Sequence, residues 1–215
     1  SFLSLYRENK PALRTLPDAR KSNYNRMIQG SATPVETSWI LPKVIDFTVS
    51  ETAKVYDRHL FVDKDGVFKA DLNDWEAPLI KEELANGAVC WLRNLDRKNW
   101  SLEIPYEING VSTPMYPDLI VVRVDALGYI FDILEPHDSS RKDNYPKAVG
   151  LAKFADKHHD QFGRIQLIRK HKGEDRKDHF YRLDMNDIEV RNRVRGITSN
   201  PELDRIFEEL ELRED

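Results

Sequence analysis

The stretch that most constrains this chain runs from Met115 to His137, M-Y-P-D-L-I-V-V-R-V-D-A-L-G-Y-I-F-D-I-L-E-P-H. Leu119-Ile-Val-Val and Tyr129-Ile-Phe-Asp-Ile-Leu are apolar runs rich in β-branched and aromatic residues, the composition of buried strands. Asp125-Ala-Leu-Gly128 between them has turn chemistry, with Gly for a backbone angle that other residues avoid. An antiparallel hairpin is predicted. In a hairpin the start of one strand lies beside the end of the other. Asp118 stands at that start and Glu135 near that end, so the two carboxylates can share one divalent cation. His137 is two residues from Glu135 and points to the same face, whereas Asp132 has opposite parity and belongs to the other face. Pro136 lacks a ladder donor, so its strand must end there, lie at an edge or bulge.

Around this hairpin the chain reads as α/β. His59-Leu-Phe-Val and Val67-Phe-Lys-Ala flank Asp63-Lys-Asp-Gly66, a strong hairpin signal. Asp63, Asp65 and Asp71 lack the further ligands of a calcium loop. Asn73 or Asp74 caps a helix carrying Leu79, Ile80 and Leu84 and stopping at Gly87. Residues 88–95 and 100–108 read as strands, Asn109-Gly110 as a hairpin turn and residues 111–115 as a loop. Residues 147–159 read as a helix, 164–170 as a strand and 180–183 as an edge strand. Gln166 faces either the site or the opposite surface. Helices close the chain over 186–195 and from Asn200 onward, the last with acidic outer faces. Residues 1–29 suggest short helices broken at Pro11 and Pro17, with a boundary at Gly30-Ser-Ala-Thr-Pro34.

Composition narrows the function classes. The 40% hydrophobic fraction suits one buried core with a small appendage, and no stretch is apolar enough to cross a membrane. The single Cys90 excludes an internal disulfide and a multi-Cys zinc site, which fits a reducing cytoplasm. A net charge of −4 argues against a protein that coats nucleic acid without specificity, though a local basic face remains compatible with it.

Pro117-Asp118 and Glu135-Pro136-His137 resemble the two halves of the PD-(D/E)XK nuclease motif, with His where the family has Lys. Asn73-Asp74-Trp75-Glu76, Trp91-Leu92-Arg93-Asn94, Ile104-Pro105-Tyr106 and Tyr116-Pro117-Asp118 follow in the order seen in the C-terminal endonuclease domain of type III restriction-enzyme helicase subunits. The resemblance spans Leu72 to Lys170. It implies a restriction-endonuclease-like fold, a central mixed β-sheet flanked by helices. Residues 1–35 would then be a linker or the tail of a preceding helicase domain. Residues 36–185 would be the nuclease-like domain, and 186–215 helices packed on it or on a partner.

The activity implied is metal-dependent hydrolysis of double-stranded DNA in restriction or phage defence, beside a helicase domain of the same chain. A methyltransferase or specificity subunit, or a second copy, is a further implied partner. Such hydrolysis needs an activated water and charge stabilisation on the phosphate, which Mg2+ or Mn2+ on hard oxygen ligands supplies. Asp118, Glu135, the carbonyl of Pro136 and the helix acid Glu76 are the expected metal ligands, with Glu82 and Glu83 as substitutes for Glu76. For Glu76, favourable placement in the first turn of a helix competes with that role. His137 can act as base, metal ligand or phosphate donor, and Lys142 or Lys147 can replace the missing motif lysine. Arg93, Arg141, Lys142, Lys147, Arg169, Lys170 and Lys172 are the expected DNA contacts. Two readings compete with the enzyme. One is an inactive DNA-binding or docking module on the same fold, the other an interaction domain that binds protein through its acidic last helix.

Overall fold

The computed structural model describes residues 2–4, 41–46, 48–173 and 175–213. The short helices expected before residue 30 and the boundary at 30–34 lie outside them, except that Phe2–Ser4 form strand β1, where a helix was expected. The chain makes two compact units, each of two segments. The first comprises 1–102 and 119–131, the second 103–118 and 132–215.

In the first unit, β1 pairs antiparallel with both β2 (Val44–Ile45) and β4 (Phe61–Val62), while β3 (Lys54–Tyr56) pairs with β5 (Phe68–Ala70). The Asp63–Gly66 turn forms, but its flanking strands β4 and β5 therefore do not pair with each other. β6 (Cys90–Arg93) pairs antiparallel with β9 (Leu119–Asp125). Phe61, Phe68, Leu79, Trp91 and Leu92 form the unit's apolar centre. Helix α1 (Glu76–Ala85) starts from a reciprocal cap. Asn73 Oδ1 accepts from the N–H groups of Trp75 and Glu76, each at 2.8 Å, and Glu76 Oε2 accepts from the Asn73 N–H at 2.9 Å.

The turn after β9 falls at Ala126-Leu127, and Gly128 takes φ 114° as its residue type allows. β10 (Gly128–Pro136) begins in the first unit and continues into the second. There it runs parallel to β11 (Ile165–Lys172), in register Glu135↔Leu167 and Pro136↔Ile168. Parallel neighbours need a crossover, and α2 (Asn144–His158) provides it. β12 (Asp178–Asp184) returns antiparallel to β11. It is not the edge expected from its sequence, because β13 (Leu212–Arg213) pairs outside it. The mixed sheet thus has the hydrogen-bonded order β13-β12-β11-β10-β9-β6. Helices α3 (Ile188–Arg195) and α4 (Asn200–Leu210) pack on α2 and on β12. Asp187 caps α3 through the N–H groups of Glu189 and Val190.

Residues 111–115, read as a loop, form β8 (Val111–Met115) in a hairpin with β7 (Ile104–Ile108). Asn109 and Gly110 make its turn at φ 51° and 77°. Pro105 faces Pro114 across this ribbon. Neither has an N–H to donate, so the pair suits a position where the strands exchange no hydrogen bond. Gly150 of α2 lies against the same ribbon, where a Cβ would come within 2.6 Å of Tyr106 Cβ. The helix therefore approaches β7 backbone to backbone.

Candidate functional site

In the second unit the hairpin places Asp118 and Glu135 side by side, as its sequence requires. The Asp118 N–H donates to Glu135 Oε2 at 3.2 Å. Glu135 is buried, and β10 ends one residue later at Pro136, which is where a proline without a ladder donor belongs. The next N–H, of His137, still donates to the Ile168 carbonyl at 2.8 Å. The main chain thus follows β11 and holds His137 on the Glu135 face. Register puts Gln166 beside Leu134, on the face opposite Glu135, where it bonds Arg182 at 3.0 Å. Asp132 shares that opposite face and meets Arg164 at 2.8 Å.

The loop after His137 is folded around Asn144. Its buried amide donates to the carbonyls of Asp138, Ser139 and Arg141 at 3.1, 2.8 and 2.7 Å. Asn200 of α4 completes the arrangement by accepting from the Tyr145 N–H at 3.0 Å. These bonds fix where α2 begins, and so where Asp143 and Lys147 point.

Four ionisable groups then close a ring. Lys147 Nζ lies 3.3 Å from Glu135 Oε1 and 3.8 Å from Asp143 Oδ2. His137 Nδ1 is 3.7 Å from Glu135 Oε1, and its Nε2 is 3.8 Å from Asp143 Oδ1. Both imidazole distances exceed a hydrogen bond, and Nε2 is buried without a hydrogen-bond partner. Burial first, and then the Lys147 charge, push His137 down to about 4. The imidazole is therefore neutral at ordinary pH. Burial raises Glu135 against the pull of Lys147 and the Asp118 N–H. Burial would lower Lys147, but the Glu135 and Asp143 carboxylates outweigh it and hold the ammonium above its usual range. Burial raises Tyr106, whose hydroxyl also feels Lys147, Asp143 and Glu135. The cluster thus sets the carboxyl groups of Glu135 and Asp143 around the Lys147 ammonium, with Arg141 and Arg169 also acting on His137.

Sequence reasoning named Asp118, Glu135, His137 and Lys147, and the structure gathers them. It missed Asp143, whose one signal was its i, i+4 spacing from Lys147. It also missed Tyr106 as a neighbour of the site. Glu76 lies in the first unit with its carboxylate engaged, Oε2 in the α1 cap and Oε1 3.0 Å from Arg93 Nη2. Arg93 also donates to the Asp71 carbonyl at 2.9 Å. The expected metal ligand and the expected phosphate contact are thus partners of each other. Glu83 is buried and bonded to Arg123.

The basic residues after the site do not form one surface. Arg169 is buried, 2.7 Å from Asp204 and with its guanidinium 4.0 Å over the Phe207 ring. Lys170 and Lys172 alternate to the other face of β11 and lie 3.8 and 4.0 Å from Asp178. Arg141 and Lys142 are exposed on the loop beside the cluster. Among the described residues no three His, Cys, Asp or Glu side chains form a ready-made metal-ligand set, and no helix is long and apolar enough to cross a membrane.

The sequence profile of the YagJ family matches residues 57–214, most of the chain and all of this cluster. The chain belongs to the YagJ family. Protein YagJ of Escherichia coli (strain K12) is 28% identical over 189 residues, covering 84% of this chain and 78% of that protein. Neither YagJ description names an activity. No solved structure matches the chain.

Proposed function

We propose that this member of the YagJ family carries a metal-dependent phosphodiesterase site of the PD-(D/E)XK kind, on a restriction-endonuclease-like fold acting on double-stranded DNA. The observation that carries the reading is Lys147. Its ammonium reaches Glu135 from the following helix, 3.3 Å away, in a site whose motif lysine is replaced by a buried, neutral His137. The positive charge that such a reaction needs is present, supplied from α2 rather than from the strand.

The donor set fits magnesium or manganese. Magnesium is held through one or two carboxylates with water completing its shell, and Glu135 and Asp118, whose N–H reaches the Glu135 carboxylate, carry such hard oxygens. The bound ion would activate water and offset phosphate charge. Lys147 stabilises charge on the phosphoryl oxygens and hydrogen-bonds the attacking water. Arg141 and Lys142, exposed on the adjoining loop, meet the DNA backbone. Glu76 has no part in this reading: it caps helix α1 and pairs with Arg93 in the first unit.

The second reading, a module that kept the fold and lost the activity, draws on the same pair. Glu135 accepts from Lys147 on one oxygen and from Asp118 N–H on the other, as a purely structural ion pair would. Plasmid nicking with magnesium or manganese separates the two. The enzyme reading expects nicking by the wild type and loss on Asp118→Asn and on Lys147→Met, with the fold retained by circular dichroism. Nicking by Asp118→Asn at the wild-type rate would place the activity elsewhere, and no nicking by the wild type with either metal would leave the docking module.

A further inference from the structure

We propose that His137 and Asp143 form a second metal-binding pair, for a borderline divalent cation such as zinc, cobalt or manganese, beside the Asp118–Glu135 pair. The proposal deepens the reading above and rests on it for the neighbouring carboxylate pair.

Two features of His137 point to a ligand. Its Nε2 is buried, has no hydrogen-bond partner and faces the Asp143 carboxylate. A buried ring nitrogen without a partner is a costly arrangement that a bound ligand would relieve. Its Nδ1 faces Glu135 Oε1. Metal-binding histidines commonly turn their second nitrogen to a carboxylate, which places the proton there and leaves the first nitrogen's lone pair for the metal.

The spacing agrees. Nε2 and Asp143 Oδ1 are 3.8 Å apart, too far for a hydrogen bond. Metal–nitrogen and metal–oxygen bonds of about 2.0–2.2 Å each, joined at a wide angle, span that gap. A small inward movement would bring the angle towards tetrahedral. The pair supplies two ligands and water the rest. Lys147, and more weakly Arg141 and Arg169, repel a cation at His137, while the Glu135 and Asp143 carboxylates attract one. An imidazole nitrogen beside a carboxylate favours zinc, cobalt or manganese over magnesium, which prefers oxygen. Among the site's residues, that nitrogen is what would make the metal choice selective.

The test titrates untagged full-length protein with zinc chloride, cobalt chloride and magnesium chloride. Imidazole 15N NMR of the wild type with zinc is the first readout, and the cobalt visible absorption band the second. Zinc is expected to shift the His137 Nε2 resonance, and magnesium to leave it in place. His137→Gln and Asp143→Asn are each expected to weaken cobalt binding tenfold or more. A His137 ring signal unmoved at saturating zinc would overturn the proposal, and the wild-type measurement gives that answer even if a variant fails to fold. Equal cobalt affinity in the wild type and both folded variants would overturn it as well. The two readings fail separately. If zinc binds His137 in a wild type that nicks no DNA, the metal pair stands and the nuclease falls. If the wild type nicks DNA while His137 ignores zinc, the nuclease stands and the pair falls.

Discussion

His59 gives the most quantitative expectation. Its ring is fully buried, stacked on Phe68 with centroids 3.4 Å apart and planes within 8°. Nε2 accepts from the Arg93 N–H at 3.1 Å, and Nδ1 lies 3.0 Å from the Phe61 N–H and 2.8 Å from the Phe61 carbonyl, so backbone N–H groups face both ring nitrogens. A doubly protonated ring would set an N–H against a backbone N–H at each nitrogen. Burial accordingly pushes His59 down to about 3. An unfolded histidine titrates near roughly 6.5. The folded value is the lower one, so this stabilisation is complete above the unfolded value and is lost as pH falls towards the folded one. Linkage gives a loss of about 2 kcal/mol between about pH 7.5 and about pH 5, approaching about 5 kcal/mol below the folded value. With a urea slope of about 2 kcal/mol/M, the midpoint drops by about 1 M over that pH span.

The assay is urea unfolding followed by tryptophan fluorescence, since Trp91 stands edge-on to His59 at 4.5 Å. Other groups also titrate, so the informative quantity is the difference between the wild type and His59→Gln across pH. Glutamine is less stable at every pH because it loses the stacking, but it has no charge to gain. The wild-type curve should fall towards the variant's as pH drops. Parallel curves would refute the reasoning, and so would a His59 ring that titrates by NMR between about pH 5 and 8.

Lys147→Met should destabilise the protein by about 3 kcal/mol by leaving Glu135 buried without its cation, and the double variant with Glu135→Gln should regain part of that loss in chemical denaturation. Gly150→Ala should lower the melting temperature by forcing α2 away from the backbone of Pro105 and Tyr106, at about 1–3 kcal/mol. If Arg141 and Lys142 meet phosphates, changing each to Ala should flatten the salt dependence of DNA binding by about one counterion apiece, whatever the DNA sequence.

The hairpin was legible because its information is local: an alternation, a turn and an acid at each open end. Helix α2 was legible for the same reason, in the spacing of Ala148, Leu151, Ala152 and Ala155. β8 was not, since Pro114 argues against a strand unless another proline stands opposite, and only the folded chain shows Pro105 there. Asp143 escaped because its meeting with His137 depends on the path of the loop around Asn144, which no periodicity encodes. Glu76 was assigned a metal although Asn73 and Glu76 hold the spacing of a reciprocal cap. That signal was in the sequence, and it concerned the helix start. Arg93 completes the explanation from a distant strand, where sequence gives no guide.

The interleaving of the two units decides how this protein can be taken apart. Each unit is made of two stretches, and Asp118 and Glu135 sit on either side of the 119–131 stretch that belongs to the first. No single cut in the chain separates one unit whole from the other. A fragment ending at residue 102 would lack β9 as the antiparallel neighbour of β6, and one beginning at 132 would lack Asp118 together with the β7–β8 ribbon. Isolating the second unit would instead require excising 119–131 and rejoining 118 to 132 through a short linker, a graft rather than a truncation. Fragments cut at 102 or 132 should therefore be unstable and inactive whatever the protein does, and their silence would say nothing about the site.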